Sequence, residues 1–108
     1  MAKIGSYAEF WTYYLRQHAK PGNRALHFFG TALALAILAY ALATQRWWFL
    51  LAALVSGYLF AWIGHAAVER NRPATFSYPV WSLVSDLRMF YLWIAGRLGA
   101  ELKRAGVT

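Results

Sequence analysis

Gly57-Tyr-Leu-Phe-Ala-Trp-Ile-Gly-His65-Ala-Ala-Val-Glu69-Arg-Asn-Arg-Pro73 is an apolar run that ends by setting a histidine and a carboxylate four residues apart. On a helix that spacing stacks both side chains on one face, about one turn apart. Ala61, Gly57 and Ala53 continue the same interval backwards. Small residues so spaced let a second helix approach backbone to backbone inside a bilayer. Whatever that second helix carries meets His65, and the stretch therefore predicts a membrane hairpin built around one histidine.

Composition agrees. The chain has 108 residues, 60% of them hydrophobic, 19% aromatic and only 14% charged, a balance outside the soluble norm. Its length predicts one membrane-embedded helical domain over residues 1–108. The tryptophans and tyrosines suit a bilayer–water boundary, where amphipathic rings collect. A net charge of +7 then reports positive-inside topology and anionic lipid rather than nucleic acid, because no polar helix carries a basic stripe. Cysteine is absent, which excludes disulfides, thiolate metal sites and cysteine nucleophiles. Met1–Gly5 leads into an aromatic amphipathic segment rather than an apolar signal region, so the first spanning helix is expected to serve as an uncleaved anchor.

Ser6-Tyr-Ala-Glu9 is a capping box opening a helix, and Tyr7, Phe10, Trp11, Tyr14, Leu15 and His18 follow along one apolar face. Such a helix is expected to lie in the interface plane, ended by Pro21-Gly22. Ala25–Ala43 contains no charged residue and is long enough to cross a bilayer. Thr44-Gln45-Arg46 is a minimal loop before a second span, Trp47–Val68, which forces the two spans antiparallel. His27 lies three residues inside Arg24 and His65 four residues inside Glu69. Both therefore sit roughly 5 Å below the same membrane face, at a rise of ~1.5 Å per residue. Two histidines at matched depth on facing small-residue stripes should converge. Val80 to about Lys103 reads as one further helix, with Leu83, Leu87, Tyr91, Ile94 and Leu98 on one side. Asp86 and Arg88 make its exposure to lipid costly, so the polar side is expected to face the bundle or the interface. Lys3, Arg16, Lys20, Arg24, Arg70 and Arg72 at one end, against Arg46 at the other, predict that the histidine end faces the cytoplasm.

His18, His27 and His65 all map to that end. Each taken alone reads as an interfacial hydrogen-bonding residue, but together they read as a metal site with Glu69 as carboxylate. Imidazole with carboxylate suits iron, zinc, copper or nickel, and spacing does not choose among them. Glu69 reads equally well as an ion-pair partner of Arg24, Arg70 or Arg72. Asp86 reads as a group that orients an imidazole N–H from behind. Arg24, Arg70 and Arg72, with Asn23 and Asn71, cluster at the mouth. They read as lipid-headgroup contacts or as a clamp for an anionic headgroup such as that of a fatty acid. Serine-hydrolase and phosphate-loop motifs are absent. Haem ligation by His27 and His65 is conceivable, but small-residue stripes imply helices too close for a macrocycle.

Two segments carry a resemblance. His18-Ala-Lys-Pro-Gly-Asn23-Arg24-Ala-Leu-His27-Phe-Phe-Gly30-Thr31 and Trp62-Ile-Gly-His65-Ala-Ala-Val-Glu69-Arg-Asn-Arg-Pro73 resemble the paired motifs of the 2-hydroxy fatty acid dioxygenase family. Pro79-Val-Trp-Ser-Leu-Val-Ser-Asp86-Leu-Arg-Met89-Phe90 extends the likeness, which covers roughly Tyr7 to Arg97. Ala66 and Ala67 depart from it, standing where bulky aromatics are common. The resemblance implies an Fe(II)-dependent membrane enzyme that uses O2 to shorten a 2-hydroxy fatty acid by one carbon, without a 2-oxo-acid cosubstrate. It implies His18, His27 and His65 as metal ligands and leaves Glu69 at the motif's acidic position. The other reading is a non-catalytic metal- or lipid-binding membrane module, with a haem protein third.

Overall fold

The computed structural model describes residues 3–107. Among them every regular element is helical. Helix α1 (Tyr7–Arg16) starts where Ser6 is extended and its side chain accepts from the Glu9 N–H. Helix α2 (Pro21–Thr44) has proline in its first turn, where no N–H is needed, and stops at Gln45 in the left-handed region. Helix α3 (Phe49–Ile63) runs without a break into a π-helical turn, Gly64–Glu69, closed by Arg70 at φ 59°. A short 3-10 turn (Ala74–Phe76) leads to α4 (Pro79–Ile94) and α5 (Leu98–Arg104).

Pro21–Thr44 and Phe49–Glu69 are long and apolar enough to cross a membrane. Only 17% and 22% of their most apolar windows are buried, whereas the core helix of a soluble protein is mostly covered. The two helices meet as the small residues require. A Cβ on Gly30 would stand 2.9 Å from the Phe60 Cβ and 3.3 Å from the carbonyl oxygens of Ser56 and Gly57. One on Gly57 would reach Ala34 at 3.7 Å.

The tightly packed core lies elsewhere, where α1 meets α4 and α5. Phe10, Tyr14, Leu15 and Met89 are fully enclosed there. The aromatic stripe of α1 is thus covered by protein rather than by lipid. Tyr7 and Ser85 share a hydrogen bond (2.9 Å), and the Trp11 indole N–H donates to Glu101 (3.0 Å).

One expectation for the C-terminal region needs correction. The single helix from Val80 to Lys103 is broken after Ile94, because Gly96 takes φ 72° and the Arg97 N–H returns to the Leu92 carbonyl (2.8 Å). That turn folds α5 back so that Glu101, paired within α5 to Arg104 (2.7 Å), also reaches Arg88 on α4 (3.6 Å). The face of α4 follows the expectation set by its charged residues. Leu83, Leu87, Tyr91 and Ile94 point outward, and Ser82, Ser85, Met89 and Leu92 are buried. The polar side does turn inward: Arg88 lies over the Trp11 ring (4.1 Å), and Asp86 accepts from the Tyr14 hydroxyl.

Candidate metal centre

The three histidines reach one point from three elements. His18 follows α1 in the linker, His27 stands in the second turn of α2, and His65 lies in the π turn. Ring centroids are 4.5 Å apart for His18–His27 and His18–His65, and 5.0 Å for His27–His65, all near perpendicular. One nitrogen from each ring falls within 4.8 Å of the others, and all three side chains are buried.

The outer nitrogens define the inner ones. His18 Nδ1 faces the Tyr14 carbonyl oxygen (2.6 Å), and His27 Nδ1 faces the Asn23 carbonyl oxygen (3.0 Å). His65 Nδ1 faces Asn71 Oδ1 (2.6 Å). A carbonyl oxygen only accepts, so the first two Nδ1 atoms carry protons. The Asn71 amide nitrogen donates to the Gln17 carbonyl and Oε1 (both 3.0 Å), which turns its oxygen toward His65 and fixes the third. In neutral rings each Nε2 is then a bare lone pair. His18 Nε2 and His27 Nε2 approach to 3.1 Å, where two lone pairs repel unless a proton or cation stands between them. His18 disfavours a proton: burial, then the neighbouring His27 and His65, pushes it well below the usual histidine range, against the opposing pull of the Tyr14 carbonyl. Neutral imidazoles with outward N–H groups held by oxygen are the usual arrangement of metal-binding histidines, and this donor set fits a divalent transition metal.

Local sequence explains the arrangement. In a π turn each carbonyl accepts from five residues ahead, and such turns recur at functional sites. Here the His65 carbonyl accepts from both Arg70 and Asn71, which brings Asn71 back beside the ring. Gly64 admits the first turn of α2, since a Cβ there would lie 2.0 Å from Asn23 Oδ1. The Asn23 side-chain amide is buried without a hydrogen-bond partner among the described residues, wedged at this crossing. With ring centroids this close, no width remains between the histidines for a porphyrin.

A cavity of about 270 Å³ opens beside His27 and runs between α2, α3 and α4, with Asp86 at the same end.

Residues 4–98 match the family described as 2-hydroxy-palmitic acid dioxygenase Mpo1-like. The chain belongs to the Mpo1-like family. Comparison with curated proteins and with solved structures gives no match. The Mpo1-like name implies a dioxygenase acting on 2-hydroxy fatty acids, and three buried histidines are compatible with a metal in such an enzyme.

The remaining residues singled out in this Mpo1-like sequence surround the cluster. Glu69 accepts from the Lys20 backbone N–H (2.6 Å), and the Lys20 ammonium donates to the Val68 carbonyl (3.0 Å). The π turn is thereby strapped to the linker that carries His18. Among the described residues no arginine lies within ion-pair distance of Glu69. Arg24 donates to the carbonyls of His18 (2.7 Å) and Ala19 (2.9 Å), bracing that linker. Arg70 and Arg72 are exposed, Arg72 lying 5.3 Å from the Phe76 ring centroid. Asp86 meets no imidazole N–H directly; it holds Tyr14, whose ring stacks on His18 (4.0 Å). Burial raises the Asp86 carboxyl to about 7, against the lowering effect of the Tyr14 hydroxyl. Tyr14 and Gln17 are the parts that sequence reading passes over. Tyr14 precedes His18 by four residues, as Asn23 precedes His27, and that spacing could have signalled both backbone acceptors. The reach from His65 to Asn71 depends on the π turn, and no spacing rule gives it.

Proposed function

We propose that this protein is a membrane-embedded Fe(II) dioxygenase that shortens 2-hydroxy fatty acids by one carbon. The observation that carries the reading is the convergence of three Nε2 lone pairs whose Nδ1–H groups are all held from outside. His18, His27 and His65 would hold the metal. Family membership favours iron, which when bound supplies activation of O2 for cleavage of the C1–C2 bond. The overall change is a 2-hydroxy acid plus O2 giving the acid one carbon shorter, CO2 and water. Oxidation of the substrate yields all the electrons that O2 accepts, so no second reductant is required.

The residues of the chain do the positioning. Tyr14, Asn23 and Asn71 keep the three rings in one tautomer, and Glu69 ties the π turn to the His18 linker. Asp86, beside His27 in the cavity and raised to about 7, is placed to exchange a proton with the substrate hydroxyl or carboxyl. Arg24, Arg70 and Arg72 would supply positive charge at this end that draws the carboxylate, and their excess over Arg46 supports a cytoplasmic orientation.

The test is turnover. Protein purified without oxygen, loaded with Fe(II) and given 2-hydroxypalmitate and O2 should yield the acid one carbon shorter, with no activity for His18→Ala, His27→Ala or His65→Ala. Full turnover by His65→Ala would overturn the assignment.

A further inference from the structure

We propose that the groove enclosed by α2, α3 and α4 is the binding site of the acyl chain, and that its far end measures the length of that chain. The proposal rests on the dioxygenase reading for the identity of the headgroup, but the groove itself follows from the register of the hairpin. His27, Thr31, Ala34 and Leu38 of α2 share the wall of one cavity of about 270 Å³ with Leu50, Ala53 and Gly57 of α3, where Gly57 stands against Ala34. Polarity falls away along it. His27 and Asp86 stand at one end, Thr31 and Tyr58 follow, and only apolar side chains line the remainder. Alanine and glycine at the middle positions leave the space that larger residues would fill. The stripe that brings the helices together thus also hollows the surface beside their contact.

The occupant follows from this gradient. A ligand with a chelating head at the histidines and an unbranched apolar tail fits, whereas a compact polar molecule does not. From His27 to Leu38 is about 16 Å at the rise of an α-helix, which holds roughly a dozen methylenes at the bond lengths of an extended saturated chain. A second groove, of about 700 Å³, passes Arg24, Phe28 and Trp93 on the other side of α2, but no histidine of the cluster lines it. Ala66 and Ala67 line neither groove, so length selection falls to Ala34, Ala53, Leu38 and Leu50 instead.

The experiment uses the full chain in detergent micelles with Fe(II). 2-Hydroxypalmitate bearing a diazirine at its terminal carbon should label peptides around Leu38 and Leu50, in competition with the unlabelled acid. Ala53→Phe or Ala34→Phe should remove that labelling and lower kcat/KM for 2-hydroxypalmitate at least about tenfold relative to 2-hydroxydecanoate, with metal content unchanged. Leu50→Ala should move the preference the other way. Labelling at Phe28 and Trp93, or an unaltered chain-length profile in all three variants, overturns the proposal and leaves the dioxygenase reading intact. Labelling at Leu38 without turnover of any 2-hydroxy acid keeps the groove and removes the dioxygenase.

Discussion

His65 donates its Nδ1–H to the side-chain oxygen of Asn71, at 2.6 Å, and the Asn71 amide is in turn anchored on Gln17. The bond links the π turn to the end of α1 and settles which nitrogen His65 offers to the cluster. Asn71→Ala leaves the ring free to rotate and to change tautomer. Metal affinity should fall about 10–100-fold, as for other partners behind metal-binding histidines. Isothermal titration with Fe(II) or Co(II) measures it. Asn71→Asp keeps an acceptor and should retain most of the affinity.

Gly64→Ala tests the crossing of α2 and the π turn. The added Cβ would lie 2.0 Å from Asn23 Oδ1, so the helices must part or the asparagine must move. Overpacking of this kind costs about 1–3 kcal/mol. Because His27 stands one turn beyond Asn23, metal binding should weaken together with stability while helical content is retained. Combining it with Asn23→Ala removes the obstacle, and the two changes should be strongly non-additive in a thermal-melting cycle.

Glu69 offers a choice between strap and ligand. Its carboxylate accepts from the Lys20 N–H. Glu69→Gln keeps an acceptor oxygen and should bind metal nearly as well as the parent. Glu69→Ala leaves the start of α2 unstrapped and should cost about 0.5–1.5 kcal/mol of stability, since water can reach the freed Lys20 N–H. Equal loss of metal in both variants would point to direct ligation instead.

Asp86 gives a pH dependence with a definite sign. Its folded pKa, raised to about 7 from an ordinary 3.8, favours the protonated form in the folded state. The stabilisation is complete below the unfolded pKa and is lost as pH rises through about 7. Asp86 by itself therefore contributes more stability at pH 5 than at pH 8, on the order of a few kcal/mol, and in metal-free protein the buried His18, which disfavours its proton, acts in the opposite direction as pH falls. Asp86→Asn should remove the Asp86 contribution, so that the stability of the variant relative to the parent grows from pH 5 to pH 8. Denaturant midpoints across this range in mild detergent decide the matter.

The hairpin and the meeting of His27 with His65 were legible from sequence. Two charge-free runs joined by Thr44-Gln45-Arg46 have one compact arrangement, and the fixed rise of a helix converts residue counts from Arg24 and Glu69 into depth. The exposed apolar face of α4 was partly legible, since Asp86 and Arg88 turned the polar side to the bundle or the interface. Hydrophobic periodicity identifies a face that avoids water, and in a lipid-facing protein an outward face satisfies that condition as well as an inward one. Leu83 and Leu87 accordingly lie outward, while Ser82 and Ser85 take the buried side. The orientation of the imidazoles also needed the tertiary structure. Acceptors four residues upstream serve His18 and His27, but His65 depends on a π turn admitted by Gly64 and on an asparagine held by Gln17 of a distant helix end. The sequence by itself determined which residues sit at one depth of one hairpin, because helical geometry is local. Only the packing of all the segments decided which nitrogens face one another, because a side-chain tautomer is set by neighbours remote along the chain.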